Sequence, residues 1–310
     1  MLTNNQPPAG GPRHNYIRLG FLVGTLLLFI VHILVNEFFG NGNCHPPGNG
    51  TIHAEALLAN DITPSDWVYR SLNGLNYIWQ LSWLLYSLTF IYRRSSTAYL
   101  YVSPSTLSPM FYIIYNLAFL IPTIWIVWFQ KSHSVWTWVV YLVSFLLLSF
   151  DLFIINNNLV MNEKIYETDG FKRDIWILRF FAQNGVAFFA CWTAVRFVVS
   201  FDTFLQIRLT LSIVNAGTIA LVLAGIIAFA YFFGPNLNAA LVEKCAYQFA
   251  PWIVFLIFFW GIVEGNWHFK YIKRNFVIGL LEFLASLISA IIALALFSMR
   301  YRASKRNPIP

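Results

Sequence analysis

The chain has 310 residues, of which 58% are hydrophobic and only 11% are charged, and its formal net charge is +7. Soluble domains carry roughly 25% charged residues, so this composition excludes an ordinary soluble globular protein. The basic residues are scattered among loops instead of forming one face, which argues against nucleic-acid binding and favours a role in membrane topology.

Long apolar segments follow one another along the chain and leave no room for a separate soluble domain. Each reaches or exceeds the roughly 20 residues that a helix needs to cross about 30 Å of hydrocarbon. Because lipid offers the backbone no hydrogen-bond partner, each segment must be helical. The sequence therefore predicts an all-α, polytopic transmembrane helix bundle with about eight spans, at residues 16–38, 71–92, 106–130, 134–156, 175–200, 209–233, 249–268 and 275–299.

The bundle is predicted to occupy residues 16–300, between a disordered tail at 1–15 and a short basic tail at 301–310. The first apolar segment is longer than a signal-peptide core and no small-residue cleavage site follows it, so we expect an uncleaved first span. With eight spans, twelve loop Lys and Arg residues fall on the side of the N-terminus and six on the other. This excess predicts that both termini are cytoplasmic, in the plasma membrane or an endomembrane.

The longest predicted loop outside the membrane, at 39–68, contains the sequon Asn49-Gly50-Thr51. Its predicted non-cytoplasmic side is compatible with glycosylation of Asn49. The three cysteines, Cys44, Cys191 and Cys245, are predicted at different depths, so no disulfide is expected. Neither they nor the histidines match the spacing of a standard metal site, and we predict no metal.

The second span carries a stripe of mainly polar residues on one helical face. Their spacing is i, i+3, i+7, i+10 and i+14, which places them on the same side of a helix: Asn73, Asn76, Gln80, Trp83 and Ser87. Carboxamides facing lipid without partners would cost several kcal/mol, so this face must turn inward. Two interpretations stay open. The stripe forms hydrogen bonds between helices, worth about 0.6 kcal/mol each, or it is the wall of a binding pocket.

The third and fifth spans offer further polar and irregular positions. Pro122 removes a backbone donor from the third span and predicts a kink beside Asn116 and Trp125. Such a kink either opens space for a ligand or only adjusts packing. The fifth span repeats the polar pattern, with Arg179 and Gln183 on one face.

Small residues recur every four positions in the sixth span, at Ser212, Ala216, Ala220, Ala224 and Ala228. A seam of this kind lets another helix approach closely. The sequence leaves open whether that helix belongs to the same chain or to a second copy in a homo-oligomer.

Two carboxyl groups are predicted inside the bilayer. Glu282 lies about two turns into the eighth span and is predicted to be the deeper one, whereas Asp151 is expected near the inner end of the fourth span. Ionisable residues within spans are costly and are functional candidates by default. Both are candidates for an ion or proton site, and the alternative is that they fix helix orientation.

Several strings resemble tryptophan-rich sensory and translocator (TspO/MBR-like) membrane proteins. The run Ile62–Tyr69 followed by Asn76–Gln80 is similar to the proline-tryptophan start of a helix in that family. Tyr112–Trp128 resembles its Asn- and Trp-bearing helix, and Asp174–Ala194 resembles its last helix with a tryptophan at Trp192. The likeness covers roughly 60–200 and is closest to longer, eight-helix animal membrane proteins.

The resemblance implies a receptor or carrier that binds a porphyrin- or sterol-like molecule in an aromatic pocket within the membrane. The polar stripes and the resemblance together predict one ligand-binding set: Asn76, Gln80, Trp83, Asn116, Trp125, Gln183 and Trp192. Two alternatives are an ion- or proton-coupled solute transporter using Glu282 and Asp151, and an accessory membrane subunit. The sequence contains no catalytic motif or cofactor loop, so we expect neither an enzyme nor a cofactor.

Overall fold

The computed structural model describes residues 14–40, 62–95, 98–129, 134–234, 239–267 and 273–306. Within these ranges the protein is helical and has no strand, which confirms the all-α prediction. The helices are α1 (Tyr16–Val35), α2 (Asp66–Leu88), α3 (Pro109–Trp128), α4 (Thr137–Thr168), α5 (Lys172–Arg208), α6 (Ile213–Phe233), α7 (Ala239–Cys245), α8 (Ala250–Gly265) and α9 (Arg274–Arg306). The candidate glycosylation site Asn49 lies outside the described residues.

Six of these helices are long and apolar enough to cross a membrane, namely α1, α3, α4, α5, α6 and α9. Two of the predicted spans do not meet both conditions. The second corresponds to α2, which has 23 residues but carries the buried polar stripe. The seventh corresponds to α8, whose 16 residues reach only about 24 Å. Six of the predicted spans are therefore matched by helices long and apolar enough to cross a membrane, and the total of about eight crossings stays a prediction.

Contacts between helix ends define the direction of the first helices. At the end of the bundle that we call the terminal end, Arg18 of α1 donates a hydrogen bond to the carbonyl of Val102, which precedes α3 (2.6 Å). At the same end, Arg93 follows α2 and forms an ion pair with Asp174 near the start of α5 (Nη2–Oδ2 2.7 Å). The hydrogen bond to Asp174 is the main cause that raises the pKa of Arg93. Helices α1, α3 and α5 therefore begin at the terminal end, and α2 ends there.

The last helix returns to this end of the bundle. Trp176, near the start of α5, packs against Tyr301 near the end of α9, with ring centroids 5.0 Å apart. The predicted basic tail is helical over 301–306, because α9 continues to Arg306. The start of α1 and the end of α9 thus lie on the same side of the bundle.

At the opposite end of the bundle, which we call the far end, α2, α6 and α9 begin and α8 ends. Trp67 at the start of α2 donates to Glu264 near the end of α8 (2.6 Å). Arg274 at the start of α9 donates to Asn215 near the start of α6 (2.8 Å). The helices α1 to α6, α8 and α9 consequently alternate in direction along the chain.

Helix α5 occupies the centre of the bundle. In its most apolar stretch of 18 residues 72% of the residues are buried, compared with 11% in the corresponding stretch of α9. It runs antiparallel to α4. The Arg179 guanidinium pairs with Glu163 (2.7 Å) near the terminal end, and Arg196 lies 4.4 Å from the Tyr141 ring centroid nearer the far end. These two contacts fix the relative heights of residues on the two helices.

The alanine seam of α6 is used inside the chain. Ala216, Ala220, Ala224 and Ala228 are buried, and α6 packs against α5 and α9. The neighbouring Gly225 also permits close approach, since a Cβ atom there would lie 2.5 Å from the Glu282 side chain. The seam therefore has partner helices in its own chain, and the predicted homo-oligomer stays a prediction.

Pro122 lies inside α3, as predicted, and its effect is compensated by α4. A proline has no N–H to donate to the carbonyl four residues earlier, which belongs to Ala118. The hydroxyl of Ser144 in α4 donates to this carbonyl instead. The proline thus creates an acceptor that binds α3 to α4.

The side chain of Asn184 connects α5 to the start of α8 through hydrogen bonds. Its amide nitrogen donates to the carbonyls of Arg179 (2.8 Å) and Tyr247 (2.9 Å). Its oxygen accepts from the backbone N–H groups of Phe249 (2.8 Å) and Ala250 (3.0 Å). Asn184 follows the π-helical segment Leu178–Gln183 of α5, so one side chain satisfies a helix irregularity and caps a second helix.

Candidate functional site

Three of the predicted ligand-binding residues meet in a cluster centred on Gln80 in α2. The Gln80 amide nitrogen donates to Asn76 Oδ1 (3.0 Å) and to the carbonyl of Gly185 (2.8 Å). Its oxygen accepts from the Trp83 indole (2.8 Å) and the Tyr115 hydroxyl (3.1 Å). We call these five residues the Gln80 cluster. All four hydrogen-bonding positions of the central amide are filled by protein groups.

The cluster joins α2, α3 and α5 at close range. Gly185 makes this possible, because a Cβ atom there would lie 3.2 Å from both Trp79 and Trp83. The side chains of Asn76, Gln80 and Trp83 are buried, so the polar stripe faces inward as predicted. The contacts are those of interhelical hydrogen bonding, which was one of the two interpretations. The ligand-binding role of these residues stays a prediction.

Two further predicted residues on α3 face other neighbours. Asn116 donates to Thr25 of α1 (2.9 Å), on the side of α3 that contacts the first helix. Trp125 donates to Thr137 at the start of α4 (3.2 Å), near the far end. Neither belongs to the Gln80 cluster.

The two predicted residues on α5 also lie apart. Gln183 donates to Asn156 of α4 (2.8 Å) and to the carbonyl of Lys244 in α7 (3.1 Å). Beside this contact, burial raises the pKa of the Cys245 thiol. The Trp192 indole donates to Asn73 of α2 (2.7 Å). The seven predicted residues therefore do not converge on one place.

One cavity among the described residues lies near the terminal end. It is lined by Phe90, Leu100, Tyr101, Pro104, Leu107, Tyr112 and Tyr166, and its volume is about 10 Å³. That volume is enough for about one water molecule, whereas pockets for drug-sized ligands measure about 300–1,000 Å³. This cavity is too small for a porphyrin or a sterol.

Asp151 in α4 has an environment unlike that of the other predicted residues. It is 0% exposed, and neither of its carboxyl oxygens has a hydrogen-bond partner. It shares one face of α4 with Ser144, Leu148 and Ile155, which are also buried. Ser144 binds the Ala118 carbonyl, so this face of α4 is turned toward α3.

The surroundings of Asp151 are mainly apolar. Leu148 and Ile155, on the same helix face, belong to a large hydrophobic cluster that also contains Ala118, Phe119, Val186, Ala187 and Ala190. Tyr115 interacts electrostatically with Asp151, while its hydroxyl donates to Gln80. Tyr115 thus belongs to the Gln80 cluster and is also an electrostatic neighbour of the carboxyl group, without a hydrogen bond to it. Tyr115 is not among the site residues that the sequence predicts. The one signal for it is helical spacing, because Tyr115, Phe119 and Pro122 lie at i, i+4 and i+7 on the same face of α3.

The positively charged residues of α5 nearest to Asp151 contact other partners, which lie well above or below Asp151 along α4. Arg179 pairs with Glu163, which lies twelve residues after Asp151, or about 18 Å along α4. Arg196 contacts the ring of Tyr141, ten residues before Asp151, or about 15 Å away along the helix. Among the described residues of α5, no cation stands level with Asp151.

Glu282 occupies a more peripheral position in the bundle than Asp151 does. It lies on α9, which is the least buried of the candidate spans, and it packs against Gly225 of α6. Its Oε2 atom has no hydrogen-bond partner, but the residue is only partly buried. Asp151 is therefore the more buried of the two carboxyl groups, and their relative depth in the bilayer stays a prediction. Asp151 lies near the middle of α4 because that helix continues to Thr168, twelve residues beyond its predicted end.

Comparison of the chain with protein-family models, with curated proteins and with solved structures finds no match. The resemblance to tryptophan-rich sensory and translocator proteins therefore stays a prediction. The six apolar helices are those of a multi-pass protein in contact with a lipid bilayer.

Proposed function

We propose that this chain is a cation-coupled membrane transporter with Asp151 as its coupling site. The observation that carries the proposal is a fully buried carboxyl group, in the interior of the bundle, with both oxygens unpartnered. An isolated carboxylate in such surroundings is very costly, so the closed packing requires a bound proton or cation. A group whose charge must be neutralised before the helices close links ion binding to conformation, which is what coupled transport needs.

The proposed topology has eight crossings and both termini in the cytoplasm. Helices α1 and α3 run in the same direction, so the chain must return between them, and α2 is the returning segment. By the same reasoning α8 returns the chain between α6 and α9. In this topology both α2 and α8 cross the membrane inside the bundle. Neighbouring helices shield the polar stripe of α2 from lipid, and they also surround the 16 residues of α8. The excess of Lys and Arg favours the terminal end as the cytoplasmic side.

We expect tags at the two chain ends to be labelled from the same side of the membrane. The experiment adds one epitope before residue 1 and another after residue 310 and compares intact cells with permeabilised ones. Under the proposed topology both epitopes react only after permeabilisation. Labelling of one epitope in intact cells would mean an odd number of crossings, and labelling of both would mean the opposite orientation.

Replacing Asp151 with Asn is expected to abolish cation-dependent charge movement. Proteoliposomes adsorbed on a solid-supported membrane are exposed to separate concentration jumps of H⁺, Na⁺ and K⁺, which needs no knowledge of the transported solute. The wild-type protein should give a transient current with one of these ions, because the carboxyl group binds it within the membrane field. Asp151→Asn should give only the signal of empty liposomes.

Glu282→Gln is the matched control, because it removes the second carboxyl group that the sequence predicts as an ion or proton site. It should retain the current, since Glu282 lies at the edge of the bundle. Size-exclusion chromatography must show that both variants are folded. A wild-type protein without current for any ion, or an Asp151→Asn variant with the full current, contradicts the proposal. If a porphyrin then quenches Trp fluorescence in the wild type but not in Trp83→Ala or Trp192→Ala, the hydrophobic-ligand carrier replaces it.

A further inference from the structure

We infer that the ion bound at Asp151 is a proton and not a metal cation, an inference that rests on the proposed function. Three observations on the described residues support it: the small number of metal ligands around the carboxyl group, the lack of a compensating charge at the same height, and the apolar packing of α3 against α4.

A metal cation would find too few ligands at this place. Ca²⁺ takes six to eight oxygen ligands, and Mg²⁺ requires a near-ideal octahedron. Asp151 supplies two oxygens, and within the described residues no group of three or more His, Cys, Asp or Glu side chains is placed to hold a metal. The backbone acceptor that Pro122 creates, the carbonyl of Ala118, is already bound by Ser144. A proton needs no coordination shell, because it forms a covalent bond to one carboxyl oxygen.

The charges around Asp151 also favour the neutral acid. From α3 the titratable neighbour is Tyr115, whose hydroxyl proton is donated to Gln80. From α5 the cations are Arg179 and Arg196, held about 15–18 Å away along the helix by their own partners. No described cation therefore compensates an ionised carboxylate. The protonated form removes the charge without requiring one.

The remaining titratable groups near α4 face other sides of this helix. Cys191 of α5 lies beside Tyr231 of α6, and the ammonium group of Lys244 in α7 lies 5.7 Å from the Phe153 ring. Phe153 is two residues from Asp151 and therefore points to a different face of α4. These groups do not supply a base or a cation to the carboxyl group.

Release of the proton requires water to reach the carboxyl group. The apolar residues around it and the Ser144–Ala118 hydrogen bond keep α3 and α4 together in the closed packing. The two helices must separate before the carboxylate can be hydrated. Proton binding is thus coupled to closure of the α3–α4 contact.

The test is infrared spectroscopy of the full-length protein in lipid nanodiscs at neutral pH, without Na⁺ and then with it. We expect the C=O band of a protonated carboxyl group, unchanged by Na⁺. This band should disappear in Asp151→Asn and persist in Glu282→Gln. If Asp151→Asn does not accumulate, ¹³C-labelled aspartate separates the bands of Asp side chains from that of Glu282. The variant Asp202→Asn, which removes another fully buried aspartate, should then keep the shifted band. In the current recordings, the pH jump alone should give the signal.

The outcomes separate the inference from the proposed function. Absence of the protonated-carboxyl band, or its loss on addition of Na⁺, overturns the inference. If Na⁺ jumps then produce currents that need Asp151, the proposed function still stands with a different ion. If the band is present and assigned to Asp151 but no ion produces a current, the carboxyl group holds a proton and the transporter proposal fails.

Discussion

Asn184→Ala is expected to destabilise the protein strongly, because the Asn184 side chain forms four hydrogen bonds to the backbone. The change leaves the carbonyl of Tyr247 and the N–H groups of Phe249 and Ala250 without this partner, whereas the carbonyl of Arg179 keeps its bond from the backbone N–H of residue 184. A buried polar group left unsatisfied costs about 1–3 kcal/mol, and the costs are not strictly additive. We expect a loss of about 3–5 kcal/mol, measured as a large fall in the melting temperature of the detergent-solubilised protein.

Two variants serve as controls for this prediction. Asn184→Asp keeps an oxygen that accepts from Phe249 and Ala250 but loses the two donated hydrogen bonds, so its stability should be intermediate. Asn162→Ala removes a side chain whose amide donates only to the carbonyl of Asn158 (2.8 Å), and the change should cost about 1 kcal/mol or less. Equal melting temperatures for Asn184→Ala and Asn162→Ala would show that Asn184 does not fasten α5 to α8.

Gly261→Leu is expected to displace α8 from α2. A Cβ atom at Gly261 would lie 2.6 Å from a methyl group of Val68 and 3.0 Å from Pro64, well inside van der Waals contact. Overpacking of a close helix contact costs about 1–3 kcal/mol or more, and a leucine adds three further carbons. The measurement is thermal stability, together with cross-linking of single cysteines introduced on α2 and α8 near the far end, which should fall.

Gly74→Ala provides the comparison for the effect of side-chain size at a helical glycine. Nothing lies within 4 Å of the Cβ position at Gly74, so alanine there should raise stability by up to about 1 kcal/mol through helix propensity. Gly261→Ala gains the same propensity and still meets Val68. If both alanine variants were equally stabilised, the close α2–α8 contact would be refuted.

The polar stripe of α2 illustrates how far sequence reasoning reaches. Helical spacing and the cost of exposing carboxamides to lipid correctly predict that Asn76, Gln80 and Trp83 face inward. Both arguments concern one helix and the solvent around it. Asn76 and Trp83 bond to Gln80 within the same helix, but the other two partners of Gln80 come from α3 and α5. These partners lie more than thirty residues away, and spacing within α2 carries no information about them.

The end of α4 shows a limit of the same kind. Three consecutive asparagines at 156–158 predict the end of an apolar segment, yet the helix continues to Thr168. Two of the three asparagines, which remain helical, have partners in other parts of the chain. Asn156 accepts from Gln183, and Asn158 donates to the carbonyl of Thr106. This continuation is what moves Asp151 from a predicted helix end to the middle of α4.

Composition and helical periodicity by themselves determined that this protein is an all-α bundle with several helices suited to a bilayer, since apolar length and the need to satisfy the backbone are local properties. They also brought Asp151 and Glu282 forward as candidates and predicted Glu282 to be the deeper one, because both are carboxyl groups in apolar segments and position along the segment was the only guide. Only the tertiary structure separated them. Asp151 lies on a helix face covered by α3, whereas Glu282 lies on the peripheral helix α9, and the energetic cost of a carboxyl group depends on the neighbours that surround it.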